Sequence, residues 1–326
     1  MNILVIGLGS MGKRRIRLIQ EMFPKYKVYG VDGREDRRSE ATRLLGIECV
    51  ESISEAAEKF NIDVAFVCTS PLSHNVIISE CLGNKWNVFT ELNLVEDGYE
   101  KNMKLARKNS CVLFLSSTFF YREEIKYIRS KIDMESKWNY VYHIGQYLPD
   151  WHPWENYKDF FVGEKRTNGC REIMAIELPW IVKTFGNVES VNVIADKMTT
   201  LKIDYNDNYM IQLKHVNGNK GILVVDVVSP VAVRRLEVYT ENKYLQWSGT
   251  PDSLCEYDDA TDQLKQVILN EKEEHKTGYR AFVVENAYRN EIQEFVDVIA
   301  KGKKQIYGFE EDLKILRLIN QMEAEP

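Results

Sequence analysis

Residues 1–13 read MNILVIGLGSMGK, and this stretch decides the fold expected for the first part of the chain. Residues 2–6 end in Ile-Leu-Val-Ile, a run typical of a strand that is buried on both faces. The motif GLGSMG (residues 7–12) follows at once, and residues 13–23 have the amphipathic pattern of a helix. Strand, glycine-rich turn and helix together predict a phosphate-binding turn at a helix N-terminus. Its predicted ligating residues are Gly7, Gly9, Ser10, Met11 and Gly12.

Each glycine of the motif has a mechanical reason in such a turn. We expect Gly7 to allow a tight turn, Gly9 to let a pyrophosphate approach the backbone, and Gly12 to let helix and strand pack closely. The alternative is a glycine turn in an α/β sheet that binds no ligand.

Asp32 predicts which dinucleotide would bind. It ends a second predicted strand (residues 26–31), 20 residues after the last glycine of the motif. A carboxylate there accepts hydrogen bonds from both hydroxyls of an adenosine ribose and repels a 2′-phosphate, which favours NAD over NADP. NADP stays possible because three arginines that would attract a 2′-phosphate stand close by, namely Arg34, Arg37 and Arg38.

The composition is that of an ordinary globular protein with about two domains. The chain has 326 residues, 44% of them hydrophobic, and a formal net charge of −6, so nothing in it suggests a nucleic-acid-binding or membrane surface. Six cysteines without paired spacing predict reduced thiols in a cytoplasmic protein. No metal-binding spacing appears, and we expect no metal site.

Strands alternate with helices as far as residue 116, which predicts a Rossmann-type, doubly wound parallel sheet in a domain of residues 1–120. Ligands of such sheets bind outside the carboxyl ends of the strands. That rule brings further residues to the same crevice as the glycine motif: Thr69, Ser70, Pro71, His74, Glu91 and Asn93.

The second part of the chain predicts a different architecture. Repeated alternating segments between residues 188 and 247, without crossover helices, predict an α+β domain of residues 121–326 with an open, mainly antiparallel sheet. Its other predicted elements are a linking helix (119–132), a strand (139–147), a long aromatic loop (148–169), a helix (171–184) and two closing helices (285–300 and 310–322).

This arrangement resembles the Gfo/Idh/MocA family, of the glucose–fructose oxidoreductase and inositol dehydrogenase type. The resemblance rests on the GLGSMG motif, on VCTSPLSH (residues 67–74) and on VFTE (residues 88–91), and it extends over essentially the full length. It implies a nicotinamide cofactor touching residues 69–74 and a sugar, cyclitol or nucleotide-sugar substrate against the sheet of the second domain. It also implies a homo-oligomer, a dimer or tetramer formed through that sheet.

Two departures from the family pattern affect the chemistry. The family usually has Glu-Lys-Pro where this chain has Glu91-Leu92-Asn93, and a leucine cannot polarise a hydroxyl. Ile173 and Ile176 occupy the positions at which the family places an aspartate and a histidine. The usual proton-handling residues are therefore missing.

Oxidation of a hydroxyl carbon needs a group that takes the hydroxyl proton. The candidate catalytic residues are Glu177, Tyr147 and His152, of which Glu177 is either a substitute base or a helix carboxylate paired with a cation. The candidate substrate-binding residues are Asn93, Gln146, Trp151, Arg171 and Glu172. Arg171 either binds an anion or forms a surface ion pair. Trp151 either stacks on a sugar or holds its own loop in place. The loop 145–154 resembles that of family members that handle nucleotide sugars. Glu291, on the penultimate helix, is expected at the surface.

Two functions follow from these observations. The first is an NAD(P)-dependent oxidoreductase that moves a hydride between nicotinamide and a sugar-like substrate through a non-standard proton relay. The second is a dinucleotide- or sugar-nucleotide-binding protein that has lost catalysis and acts as a sensor or complex partner. The missing lysine and histidine favour the second; the intact glycine motif and Asp32 are compatible with both.

Overall fold

The computed structural model describes residues 1–133, 135–151, 156–269 and 284–324. Two compact units make up the chain: the first comprises Met1–Thr118 and Tyr288–Leu313, the second Phe119–Ala287 and Lys314–Pro326. The roles predicted for domains 1–120 and 121–326 remain predictions.

A six-stranded sheet with the order β3-β2-β1-β4-β5-β6 forms the centre of the first unit, and every pairing in it is parallel. Strand β1 lies inside this sheet, and its Leu4 and Val5 are fully buried, as the apolar run at the start of the chain predicts. The strands are β1 (Asn2–Ile6), β2 (Lys27–Val31), β3 (Glu48–Val50), β4 (Val64–Val67), β5 (Asn87–Thr90) and β6 (Leu113–Leu115). The crossover helices are α1 (Ser10–Met22), α2 (Glu35–Leu45), α3 (Ile53–Lys59), α4 (His74–Gly83) and α5 (Tyr99–Asn109).

The register of this sheet brings the predicted ligand-binding segments to one edge. Ile6 lies beside both Val31 and Val67, and Val67 lies beside Thr90. The residues that follow these strand ends therefore leave the sheet together, as the rule for open parallel sheets predicts.

Residues Tyr288–Leu313, which belong to the first unit, place an aromatic side chain against its sheet. Phe295 packs against Phe66, Phe89 and Phe114 with ring centroids 5.3–5.4 Å apart. The Rossmann core is thus completed by residues almost 200 positions away from β6.

The second unit contains an eight-stranded sheet with the order β14-β13-β12-β11-β7-β10-β9-β8. All its pairings are antiparallel except that of β7 with β10, so the predicted mainly antiparallel sheet is confirmed. Its strands are β7 (Asn139–Gly145), β8 (Val188–Asp196), β9 (Asn208–His215), β10 (Lys220–Asp226), β11 (Val233–Thr240), β12 (Lys243–Trp247), β13 (Cys255–Asp258) and β14 (Gln263–Gln266). The other helices of the chain are α6 (Glu123–Lys131), α7 (Gly169–Phe185), α8 (Glu285–Lys301) and α9 (Phe309–Ala324).

Two local predictions need correction. The linking helix predicted over 119–132 is a short 3-10 turn (Thr118–Tyr121) followed by α6, because Arg122 between them has an extended backbone. The predicted loop 148–169 contains several short 3-10 turns.

In the parts of the chain that the structure describes, no helix is both long and apolar enough to cross a membrane. Nor do three or more His, Cys, Asp or Glu side chains come together there in a group that could hold a metal ion.

Candidate functional site

The phosphate-binding loop (residues 7–12) has the tight geometry that its glycines predict. Gly7 has φ +92°, and a Cβ there would lie 2.7 Å from the carbonyl oxygen of Cys68. A Cβ at Gly12 would lie 1.9 Å from the carbonyl oxygen of Gly7, a distance that no side chain can adopt. Both positions therefore require glycine for reasons internal to the protein.

Gly9 is different, because no protein atom requires it to be glycine. A Cβ there would meet only Arg37 Nη1, at 3.9 Å, so the space above Gly9 is open. Gly9 is also the N-cap of α1, offers no side-chain oxygen to the free N–H groups, and no acidic residue lies in the first turn of that helix. Open space, unsatisfied N–H groups and an uncompensated helix dipole fit the pyrophosphate of a dinucleotide.

Asp32 is fixed beside this loop. Its Oδ2 accepts a hydrogen bond from Leu8 N–H at 2.8 Å, and its Oδ1 accepts one from Arg34 N–H at 2.9 Å. About a tenth of the surface of its side chain is exposed, so the carboxylate is held beside the loop and is not completely covered by the protein.

The three arginines near Asp32 are bound by groups of the protein. Arg34 forms a bidentate pair with Asp36, and Arg38 Nη1 donates to the carbonyl of Asp32 at 2.8 Å. Arg37 lies 3.6 Å from Asp32 Oδ2. A 2′-phosphate would have to compete with these partners.

The segment that follows β4 positions His74. Ser73 Oγ donates to Thr69 Oγ1 at 2.8 Å, Pro71 is buried and Ser70 is exposed. His74 is 2% exposed, and burial lowers its pKa, so the ring is neutral at pH 7. Its Nε2 lies 3.0 Å from the carbonyl oxygen of Thr69, which can only accept, and this fixes the Nε2–H tautomer.

Asn93 is bonded to the other nitrogen of that ring. His74 Nδ1 lies 2.6 Å from Oδ1 of Asn93, while Asn93 Nδ2 is buried with no partner among the described residues. Turning the amide would let Nδ2 donate to the neutral ring. Asn93 is itself only 2% exposed, and its closest contact is with another buried side chain of the protein, His74.

Glu91 belongs to a buried charge cluster (Arg15, Glu91, Ser116 and Glu291). Arg15 is fully buried and donates to Glu91 Oε1 at 2.6 Å and to Glu291 Oε2 at 2.7 Å. Burial acts to lower the pKa of Arg15, but the two carboxylates raise it, so the guanidinium stays charged. The expectation that Glu291 lies at the surface is wrong: it is fully buried and also accepts from Ser117 N–H at 2.7 Å.

Glu177 is held by three donors at the centre of the second unit. It is fully buried, its Oε1 pairs with Arg234 at 2.5 Å, and its Oε2 accepts from Tyr142 at 2.8 Å and from Trp180 at 2.7 Å. Of the two interpretations of Glu177, its contacts fit the paired helix carboxylate.

Arg171 forms an ion pair, as one interpretation proposed, but a buried one. It is 5% exposed, pairs with Glu323 of α9 and donates to Asn320 Oδ1 at 2.6 Å. Asn168, the N-cap of α7, donates to the same Glu323. These contacts join the start of α7 to the last helix.

Glu172 differs from its neighbours because one oxygen of its carboxylate accepts no hydrogen bond from any described residue. The residue as a whole is partly exposed, yet its Oε2 is shielded from solvent and accepts no hydrogen bond from any described residue. Burial raises its pKa from 4.5 to about 7. It lies in the first turn of α7, on the same helical face as Ile176.

The loop after β7 supplies the remaining predicted residues. Trp151 Nε1 donates to the carbonyl of Gln146 at 3.0 Å, which fits the interpretation that this indole pins its own loop. Gln146 Nε2 is buried without a partner among the described residues, which is uncommon in folded proteins. Tyr147 is half-buried, and His152 lies outside the described residues.

Sequence comparison shows what the first part of the chain is similar to. Residues 1–117 match the model of the Gfo/Idh/MocA oxidoreductase family, NAD-binding Rossmann fold. Myo-inositol 2-dehydrogenase of Thermotoga maritima is 28% identical over 142 residues, which span 41% of this chain and 41% of that protein.

Two solved structures share the fold over nearly the whole length. UDP-N-acetylglucosamine 3-dehydrogenase of Acidithiobacillus ferrooxidans has a TM-score of 0.77 at 14% identity, covering 100% of this chain and 97% of that one. The WlbA dehydrogenase of Bordetella pertussis, solved with NADH and UDP-GlcNAcA, has a TM-score of 0.76 at 12% identity, covering 98% and 94%. At these identities the likeness concerns the fold alone. The match over residues 1–117 shows that this part of the chain is similar to the Gfo/Idh/MocA oxidoreductase family, which is the resemblance predicted from its sequence.

Proposed function

We propose that the protein is an NAD-dependent oxidoreductase acting on a hydroxyl or keto carbon of a sugar, cyclitol or nucleotide sugar. The observation that carries this proposal is the phosphate-binding loop, in which Gly9 is open and uncapped while Asp32 is fixed beside it. The bound nicotinamide would accept or donate the hydride. The names of the relatives, which act on inositol and on UDP-N-acetylglucosamine, support a polyhydroxylated substrate.

The preference for NAD rests on Asp32 and on the engaged arginines. The carboxylate would accept hydrogen bonds from the ribose hydroxyls and repel a 2′-phosphate. Arg34 and Arg38 would have to leave Asp36 and the Asp32 carbonyl to bind that phosphate.

Proton transfer is best assigned to Glu172. A base that removes a hydroxyl proton needs a free lone pair and a pKa near the working pH. Glu172 has both, since its Oε2 has no partner among the described residues and burial raises its pKa to about 7. Glu177 has neither a free oxygen nor room to move, so we propose that it orients Arg234 and Tyr142.

The alternative is a dinucleotide-binding protein without catalysis. It is favoured by one observation: the positions that carry proton-handling residues in the family hold Leu92, Ile173 and Ile176, and Glu91 is occupied by Arg15. Under this alternative the nucleotide would bind with no turnover.

A turnover assay separates the two functions. The purified protein is incubated with NAD⁺ and a panel of nucleotide sugars, aldoses and cyclitols, and formation of reduced cofactor is followed by absorbance. We expect turnover with at least one substrate, a loss of about 10²-fold or more in Glu172→Gln, and unchanged NADH binding in that variant. Turnover that survives Glu172→Gln would remove Glu172 from the mechanism, and NADH binding without turnover on the whole panel would favour the alternative.

We also infer a homo-oligomer formed through the outer face of the second sheet, the face that carries Val141, Ile194, Met210, Ile222 and Tyr239. These five side chains are between 37% and 68% exposed, and the register places Val141 beside Ile222 and Ile194 beside Met210. Clustered exposed apolar side chains of this kind are typical of an interaction surface.

A further inference from the structure

A surface cavity in the second unit has an excess of positive charge. It has a volume of about 950 Å³ and lies between the loop before α7 and the loop that joins β8 to β9. The charged residues that line it are Glu164, Lys165, Arg166, Lys197, Lys202 and Asp204. Four cations against two carboxylates give this cationic cavity a net charge of +2.

Three of these cations have no counter-ion among the residues that the structure describes. Lys165, Lys197 and Lys202 are exposed, and none of them forms an ion pair or side-chain hydrogen bond with any residue in the described ranges. Two exposed lysines elsewhere in the same unit do form ion pairs: Lys214 pairs with Glu189, and Lys243 with Asp133. Cations gathered around one concavity repel each other until an anion enters it.

The walls of the cavity are held in place by polar contacts. Asp207 is fully buried and accepts from Met198 N–H at 2.8 Å and from Thr199 N–H at 3.1 Å, which folds the β8–β9 loop. The two walls are tied together where Lys202 N–H donates to Tyr157 Oη at 3.1 Å and where Tyr205 Oη donates to the Val162 carbonyl at 2.7 Å. A preformed cavity binds its ligand at a lower entropic cost than a loose one.

We propose that the cationic cavity binds the diphosphate of a nucleoside diphosphate sugar. A nucleoside diphosphate sugar carries two negative charges, which match the net charge of the cavity. The volume is many times that of a phosphate ion and falls within the range of sites for whole small molecules. Leu201 and Ile203 add apolar side chains to the lining. The choice of ligand rests on the proposed function, since it identifies the anion as part of the substrate.

Calorimetric titration of the full-length protein tests this assignment. The probes are UDP, uridine and inorganic pyrophosphate, and the variant is Lys197→Glu with Lys202→Glu. The matched control is Lys101→Glu with Lys104→Glu, which changes the net charge equally on the exposed face of α5, outside the cavity. Thermal unfolding checks that each variant is folded.

We expect UDP to bind the wild type and the control alike, and to bind the cavity variant at least about tenfold more weakly. The affinity of the wild type for UDP should also fall as salt is added. Equal UDP affinity in the cavity variant and the wild type would overturn the proposal, because the phosphate-binding loop alone would then account for the binding. Pyrophosphate that binds as tightly as UDP would overturn the assignment to a nucleotide, as would uridine that binds as tightly as UDP.

An NADH titration on the same samples keeps this proposal separate from the proposed function. We expect NADH to bind wild type and cavity variant within about twofold of each other. Cavity-dependent UDP binding without any NADH binding would leave the cavity assigned and the oxidoreductase rejected. NADH binding together with UDP binding that does not depend on the cavity lysines would reject the cavity assignment and leave the proposed oxidoreductase standing.

Discussion

Asp32 is the residue at which we propose that cofactor choice is made, because its carboxylate orders the loop and would accept hydrogen bonds from the adenosine ribose. Its replacement by alanine removes the acceptor for Leu8 N–H and releases Arg37. We expect Asp32→Ala to weaken NADH binding about tenfold or more and to shift the NADPH-to-NADH preference toward NADPH, as measured by fluorescence titration.

The matched control for Asp32 is Asp36→Ala, four positions further along the chain. It removes the carboxylate partner of Arg34 but leaves Asp32 in place. This variant should keep wild-type NADH affinity and gain some affinity for NADPH. If Asp32→Ala bound NADH as tightly as the control does, the role assigned to Asp32 would be wrong.

Glu172 links protonation to stability with a definite sign. Its folded pKa of about 7 lies above its ordinary value of 4.5, so between these pH values the folded protein holds a proton that the unfolded chain releases. Glu172 therefore destabilises the fold progressively as pH rises from 4.5 to 7, and most strongly above pH 7. We expect Glu172→Gln to raise the melting temperature at pH 8 more than at pH 5.

Glu177 lies on the same helix, and its carboxylate is expected to stabilise the fold, whereas that of Glu172 destabilises it. Glu177→Gln breaks the buried pair with Arg234 and should lower the unfolding free energy by about 2–4 kcal/mol at both pH values. A Glu172→Gln effect that did not depend on pH would contradict the raised pKa.

The sequence predicted which residues are candidates for the site better than it predicted which side chains these residues contact. The glycine motif and Asp32 are recognisable because each obeys a local rule of spacing and backbone geometry. Glu177 and Arg171 were identified as candidates, but their partners Arg234 and Glu323 lie 57 and 152 positions away, and no local pattern encodes such pairs. The cavity lysines were missed for the same reason, since they come from two distant loops.

Helix α7 carries two buried ion pairs of the second unit, Arg171 with Glu323 and Glu177 with Arg234. Its N-terminal turn is tied to α9 by the buried pair of Arg171 with Glu323. We expect Arg171→Ala to lower the unfolding free energy by about 2–4 kcal/mol in urea titrations, because Glu323 would be left without its cation. Lys214→Ala, which removes the exposed pair with Glu189, should cost less than about 1 kcal/mol. Similar losses in the two variants would show that the α7–α9 tie is no stronger than a surface pair.

Strands and helices were largely predictable because their periodicities are local. The parallel pairing of β7 with β10 was not, since strand direction within a mixed sheet depends on the whole topology. The packing of residues 288–313 into the first unit could not be predicted from the sequence either, because Phe295 and Glu291 contact residues far away in the chain, Phe66 and Arg15.

The outer face of the second sheet makes a prediction for the whole molecule. Met210→Glu with Ile222→Glu places two charges among the exposed apolar side chains of that face. We expect light scattering to report a dimer or tetramer for the wild type and a smaller species for the variant. A wild type that runs as a monomer at all concentrations would contradict the inferred oligomer.

The central claim, that the chain binds NAD through its phosphate-binding loop and Asp32, is tested most directly by one titration. NADH and NADPH are added separately to the purified protein, and the nicotinamide fluorescence is followed to saturation. We expect saturable binding of both or of NADH alone, with NADH bound at least about tenfold more tightly. Tighter binding of NADPH would show that the arginines after Asp32 prevail, and the absence of binding by either would contradict the claim itself.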